Sequence, residues 1–254
     1  MLKSFLGALL LFAAFHAVQA ADRDQYEIAI EHWAQVLETY VDEQGRTDFA
    51  ALAENADDLR HFVGFIEGTS PASHPALFPT ENDVLAFHIN AYNALAMYGV
   101  IGEGIPVDFD SFFKRLRFFK FRSVVIGGEE TSLQDYENGV IRPLGEDRAH
   151  FALNCMVRDC PRLPQQPFQG ETLEQQLENA AHEFFSKPVH LRVDDKKRTV
   201  YVSEILKFYT ADFVESGKKR DLVPYINRFR EPNIPVDYRV KFIDYDWTIN
   251  QQPR

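Results

Sequence analysis

Residues 80–101 read TENDVLAFHINAYNALAMYGVI, and this stretch decides what kind of fold the chain can adopt. Thr80 suits a helix N-cap, Glu81 and Asp83 place negative charge in the first turn, and Gly102 and Gly104 supply the stop. From Phe87 to Ile101 the helix is apolar nearly all round, so it has to be buried nearly all round. Asn90 and Asn93 lie three apart on one face, which Met97 continues. Asn is a poor mid-helix residue because its side chain competes for backbone hydrogen bonds. Both carboxamides must therefore be paired with other polar groups. They read as core ties to a neighbouring loop or strand or, with Tyr92 between them, as ligand contacts.

Working outward, apolar spacing predicts helices over 26–40, 48–54 and 57–67, and the proline-bearing stretch 69–79 reads as loop. Residues 1–20 have the form of a secretory signal: Lys3, an apolar core from Phe5 to Ala14, and Ala17-Val-Gln-Ala20 before the cut. The expectation is export to a periplasm or beyond, with nothing later in the chain apolar enough to span a membrane. Downstream, 107–121 interleaves phenylalanines with Lys114, Arg115, Arg117 and Lys120, and reads as a half-buried segment with snorkelling cations. Val124–Ile126 and the following Gly127-Gly128 suggest a strand and turn, and 132–144 a helix. Further readings are a strand over 148–154, a helix over 171–186 and a hairpin of 189–193 with 199–202. Helical pieces over 203–213 and 222–228 precede a last strand over 239–245. The sum is an α+β fold: one helix-rich domain over 21–254 with a small, mostly antiparallel sheet.

The chain has 254 residues, 38 acidic against 27 basic, and a net charge of −11. That balance argues against nucleic acid and anionic membrane surfaces as partners. The 22 phenylalanines favour a packed aromatic core over disorder.

His150-Phe-Ala-Leu-Asn154-Cys155-Met-Val-Arg-Asp-Cys160-Pro161 holds both cysteines. In an exported protein the pair can close a disulfide across a small loop, or stay as free thiols with Cys155 a candidate for chemistry. His150 is the first candidate for general acid–base work, with Glu137 or Asp135 to orient it, or else a satisfied core histidine. On a straight strand His150 and Cys155 fall on opposite faces about 16 Å apart, so they form no nucleophile pair unless the chain turns back. Asn154 would share the face of His150. Arg142 pairs with a core carboxylate or grips a substrate's. No spacing recommends a metal site or any cofactor.

Phe87-His-Ile-Asn90-Ala-Tyr92-Asn93-Ala-Leu95, together with His150-Phe-Ala-Leu-Asn-Cys155 and Cys160-Pro161, resembles the domain-of-unknown-function family 547. Gly127-Gly-Glu, Ser132-Leu-x-x-Tyr-Glu137, Ser203 to Tyr209 with Asp212-Phe213, and Tyr245-Asp-Trp247-x-x-Asn250 match further blocks in order. His88 departs from the family's usual Trp, and Met156 and Val157 from its small residues. The resemblance brings an analogy to papain-like and transglutaminase-like folds. The residues themselves point to a polar site between the Asn90/Asn93 helix and 150–161, with Asn90, Tyr92, Asn93, Glu137 and Asn154 as binding residues. The function expected is a module binding a small molecule or peptide. The alternative is a cysteine- or histidine-dependent hydrolase or acyltransferase acting on a peptide or amide.

Overall fold

The structure is a computed structural model, describing residues 2–253, with side chains from Ala21 onward. The signal expected over 1–20 therefore falls on residues whose side chains lie outside the described set. Helix α1 (Leu2–Tyr40) contains the helix expected over 26–40, and α2 (Phe49–Glu54) and α3 (Asp57–Gly68) follow as expected. Trp33 of α1 stacks on Phe62 of α3, ring centroids 5.5 Å apart. It also donates its indole N–H to Asn90 Oδ1 at 3.2 Å.

That asparagine belongs to α4 (Glu81–Gly102), around which the rest is built. Thr80 and Asp83 close a reciprocal capping box at its start, each side chain accepting the other's backbone N–H at 3.1 Å. The helix is long and apolar enough to cross a bilayer, against the expectation that no later segment would be. Its apolar length lies inside the protein: every residue from Leu85 to Met97 is buried. The sequence rule measures apolar length, and a central core helix satisfies it as well as a membrane span does.

Beyond α4, α5 (Phe112–Arg115) runs into a π-helical turn over Leu116–Phe121. Only Phe118 of that aromatic run is sealed, while Phe112, Phe113 and Phe121 are exposed. β1 (Val124–Ile126) and β2 (Glu129–Thr131) form a hairpin whose two-residue turn needs left-handed backbone at both Gly127 and Gly128. A Cβ on Gly127 would come within 2.2 Å of Ser70 Oγ. α6 (Leu133–Tyr136) then passes into a second π turn, Glu137–Ile141.

The strand expected over 148–154 is not a strand. Asp147–Phe151 is a 3-10 helix, and the chain continues irregularly to Asn154. Glu146 caps this turn through the Arg148 N–H at 2.9 Å, and no neighbouring strand is offered to 148–154. Its side chains divide between two cores: Ala149 and Leu153 join one with α1 to α4, Phe151 the other. Apolar residues at such spacing serve a tight helix lodged between two packed bodies as well as they serve a strand.

The second core packs α7 (Leu173–Ser186) and a three-stranded sheet of β3 (Leu191–Asp194), β4 (Thr199–Ser203) and β5 (Arg239–Ile243). Between β4 and β5 run α8 (Ile205–Phe208), α9 (Thr210–Phe213) and α10 (Leu222–Ile226). β3 pairs antiparallel with β4, and β5 joins β4 in parallel with Thr199 opposite Arg239. The α+β, helix-rich class read from the sequence holds. The C-terminal segment then crosses the seam between the cores, bridging Asp108 to Thr248, Val157 to Ile249 and Thr47 to Gln251.

Candidate binding cleft

A cleft of about 410 Å³ opens at that seam. Tyr92 of α4, Glu137 and Arg142 from the second π turn, His150, Cys155, Tyr209 and Tyr245 form its polar part. Phe112, Leu116, Phe119, Phe208 and Trp247 form an aromatic side.

The π turn sets the floor. In an α-helix, residues five apart point about 140° away from each other. Here the Arg142 N–H bonds back to the Glu137 carbonyl, an i→i+5 step, so Glu137 and Arg142 stack on one side. Glu137 is buried, and burial raises its carboxyl pKa above the usual value. Hydrogen bonding from Tyr209 and Tyr92, and the nearby Arg142 charge, oppose that rise without cancelling it. Burial likewise keeps both phenols protonated.

His150 is not oriented by Glu137 or Asp135, as the sequence reading had it. Asp135 instead pairs with Lys120. The partner is Asp212, whose Oδ2 lies 2.8 Å from His150 Nε2. Asp212 also takes a bidentate grip from Arg142, at 2.7 and 2.8 Å. These contacts lower the Asp212 pKa, Arg142 first, so it is an ionised acceptor and Nε2 of His150 carries the proton. Burial lowers the His150 pKa more than Asp212 raises it, which leaves a neutral imidazole. Its ring stacks on Tyr209, centroids 4.1 Å apart, and the Arg142 guanidinium lies over the same Tyr209 ring, 5.2 Å from its centroid. Asp212 lies 62 residues beyond His150, and nothing local in the sequence ties the two. Tyr209 and Tyr245, also overlooked as site residues, lie in blocks the resemblance had matched.

The straight-strand separation of His150 and Cys155 falls with the strand. Both border the same cleft. Cys155 and Cys160 are joined by a disulfide with Cα atoms 6.1 Å apart, so thiol chemistry at Cys155 belongs only to the reduced protein. Tyr245 Oη lies 3.6 and 3.5 Å from the two sulfurs.

Asn90, Asn93 and Asn154 stand behind the cleft, fully engaged. Asn90 binds Trp33 and both sides of the Phe168 backbone, at 2.8 and 3.0 Å. Asn93 donates to the Ala152 carbonyl at 3.0 Å and accepts the Asn154 N–H at 2.7 Å. Asn154 donates to the Pro161 carbonyl at 2.6 Å and accepts the Met156 N–H at 2.7 Å. None of the three borders the cleft, and Asn154 does not share a face with His150. Tyr92 and Glu137 do border it. Among the described residues no group of three or more His, Cys, Asp or Glu side chains is placed to hold a metal ion.

Residues 78–185 match the family model described as a protein of unknown function, DUF547. The match spans α4 to α7 and so includes Glu137, His150 and both cysteines, while Asp212, Tyr209 and Tyr245 lie beyond it. No curated protein and no solved structure matches the chain.

Proposed function

We propose that the cleft binds a small molecule or peptide. An apolar or aromatic group would lie against Phe112, Phe119, Phe208 and Trp247, with an uncharged amide or hydroxyl meeting Glu137, Tyr209 and His150. One observation carries this reading: a single cleft gathers aromatic rings on one side and, on the other, buried phenols, a carboxyl of raised pKa and an arginine already paired with Asp212. Of the two arginines that line it, Arg142 is committed to Asp212 by a bidentate pair, and Arg115 binds the Phe109 and Asp110 carbonyls and lies over the Trp247 ring. The phenols and the carboxyl of Glu137 offer donors and acceptors suited to a peptide group.

Trp247 makes the test simple, because it lines the cleft whereas Trp33 is fully buried. Aromatic dipeptide amides are expected to change Trp247 fluorescence saturably. Phe208→Ala, at a half-exposed position, should weaken that binding about tenfold, the loss of one aromatic contact. If no such amide perturbs Trp247 in the folded protein, the reading fails.

The neutral His150 held by Asp212, beside a carboxyl of raised pKa, favours one second reading: a histidine-dependent hydrolase or acyltransferase on an amide. Turnover of chromogenic amides that disappears in His150→Gln would support it. Export, periplasmic or secreted, is proposed with either reading, on the leader pattern of residues 1–20 and the disulfide. Cell fractionation tests it.

A further inference from the structure

We propose that the Cys155–Cys160 disulfide is reactive, exchanging with a thiol delivered into the aromatic cleft to give a mixed disulfide at Cys155 and a Cys160 thiolate.

The two sulfurs are not equivalent. Cys155 is half-buried and borders the aromatic cleft. Cys160 is 4 % exposed and borders a different cleft, of about 690 Å³. A thiol in the aromatic cleft therefore meets the Cys155 sulfur, with Cys160 as the leaving group. Thiolates leave faster where donors lower their basicity, and Cys160 has a backbone donor in place and a hydroxyl within reach that is shared with Cys155. The Cys155 backbone N–H points at Cys160 Sγ at 3.0 Å, and the Tyr245 hydroxyl lies 3.5 Å from it. Burial keeps that hydroxyl protonated, so it stays a donor.

The bridge is also not alone in holding its loop. Asn154 closes the loop onto Pro161 and Met156. Asp159 accepts the Asp246 N–H at 2.8 Å, Arg158 N bonds Thr248 O at 2.9 Å, and Asn250 N bonds Met156 O at 3.0 Å. None of these contacts runs through the disulfide.

In the exchange the incoming thiolate forms a bond to Cys155 Sγ, and the Cys155–Cys160 bond breaks with its electron pair on Cys160. A second substrate thiolate then attacks the substrate sulfur of the mixed disulfide and expels the Cys155 thiolate. Two substrate thiols become one disulfide, and the protein is reduced to a dithiol. A disulfide compound returns it to the oxidised form by the same steps reversed.

The substrate preference rests on the cleft reading, but the exchange does not, and two probes separate them. The oxidised full chain is mixed with glutathione or with acetyl-Phe-Cys-amide under native conditions, quenched with an alkylating agent, and read by intact mass and peptide mapping. The expected product carries the probe on Cys155 and the alkyl group on Cys160. Tyr245→Phe is expected to slow its formation about threefold and to raise the midpoint pH at which Cys160 alkylates, with the melting temperature held. The peptide amide should react faster than glutathione. Equal rates with the adduct still on Cys155 would sink the cleft reading and leave the exchange standing. An adduct that needs denaturant, or that lands on Cys160, overturns the proposal. So does a Tyr245→Phe protein with both rate and midpoint unchanged.

Discussion

Asn93 shows what a single buried carboxamide does here. It holds a carbonyl and an N–H on the chain that carries His150 and Cys155. Asn93→Ala would leave both groups buried without partners, and a loss of about 2–4 kcal/mol in urea denaturation is expected. Asp212 joins more groups but is less buried. Asp212→Asn weakens the grip of Arg142 and removes the charge that favours protonated His150. The His150 pKa, followed by NMR, should fall further, and stability should drop by about 1–2 kcal/mol, less than for a fully buried pair.

At the scale of elements, the π turn at Glu137–Ile141 is what sets two charged groups on one side. Deleting Gly139, whose Cα faces open space, should turn the five-residue step into a four-residue one and rotate Arg142 away from Asp212. The expected sign is a double-mutant cycle: Asp212→Asn costs less in the deletion background than in the parent. Helix α4 carries a second titrating element in His88, whose Nδ1 accepts from the Tyr136 hydroxyl at 2.5 Å. Burial lowers its pKa from 6.5 to about 4. Unfolded, His88 takes a proton near pH 6.5, whereas folded it does so only near pH 4, so in that window the unfolded state binds more protons. Its contribution is therefore complete above pH 6.5 and is lost as pH falls toward 4, by ~3 kcal/mol at full extent.

For the whole molecule, His190 shifts in the same sense, also to about 4 and chiefly through burial. His150 shifts in this sense too, so the three histidines add, while Glu137, whose pKa is raised, contributes with the opposite sign. Stability measured by denaturation from pH 7 to 4 should fall, and His88→Gln should flatten that fall by its own part of the histidine share. The disulfide enters at this scale as well. Replacing both cysteines by Ser should lower stability by only about 2 kcal/mol, the chain-entropy value for so short a loop, because the C-terminal segment already ties that loop to the body.

Read along the chain, the helices were plain wherever one face repeats every three or four residues, as in 57–67 and 171–186. The hairpin of 189–202 was plain from the charged turn between its apolar runs, whereas at Gly127-Gly128 a strand and turn were legible but not the second strand, Glu129–Thr131. The segment 148–154 misled because its apolar residues serve two cores, a division no periodicity records. The pairing demanded of Asn90 and Asn93 followed from their place in an apolar helix, but their partners did not, being 57 to 78 residues away. By itself the sequence determined a buried central helix, its caps and an α+β class, because these depend on residues within a few turns of one another. Only the tertiary structure decided the site. Asp212 rather than Glu137 holds His150, and Tyr245 covers the disulfide, since both arise where chain segments remote in sequence meet at the seam of two cores; the π turn that aligns Arg142 with Glu137 is local, but no apolar periodicity separates it from an ordinary helix.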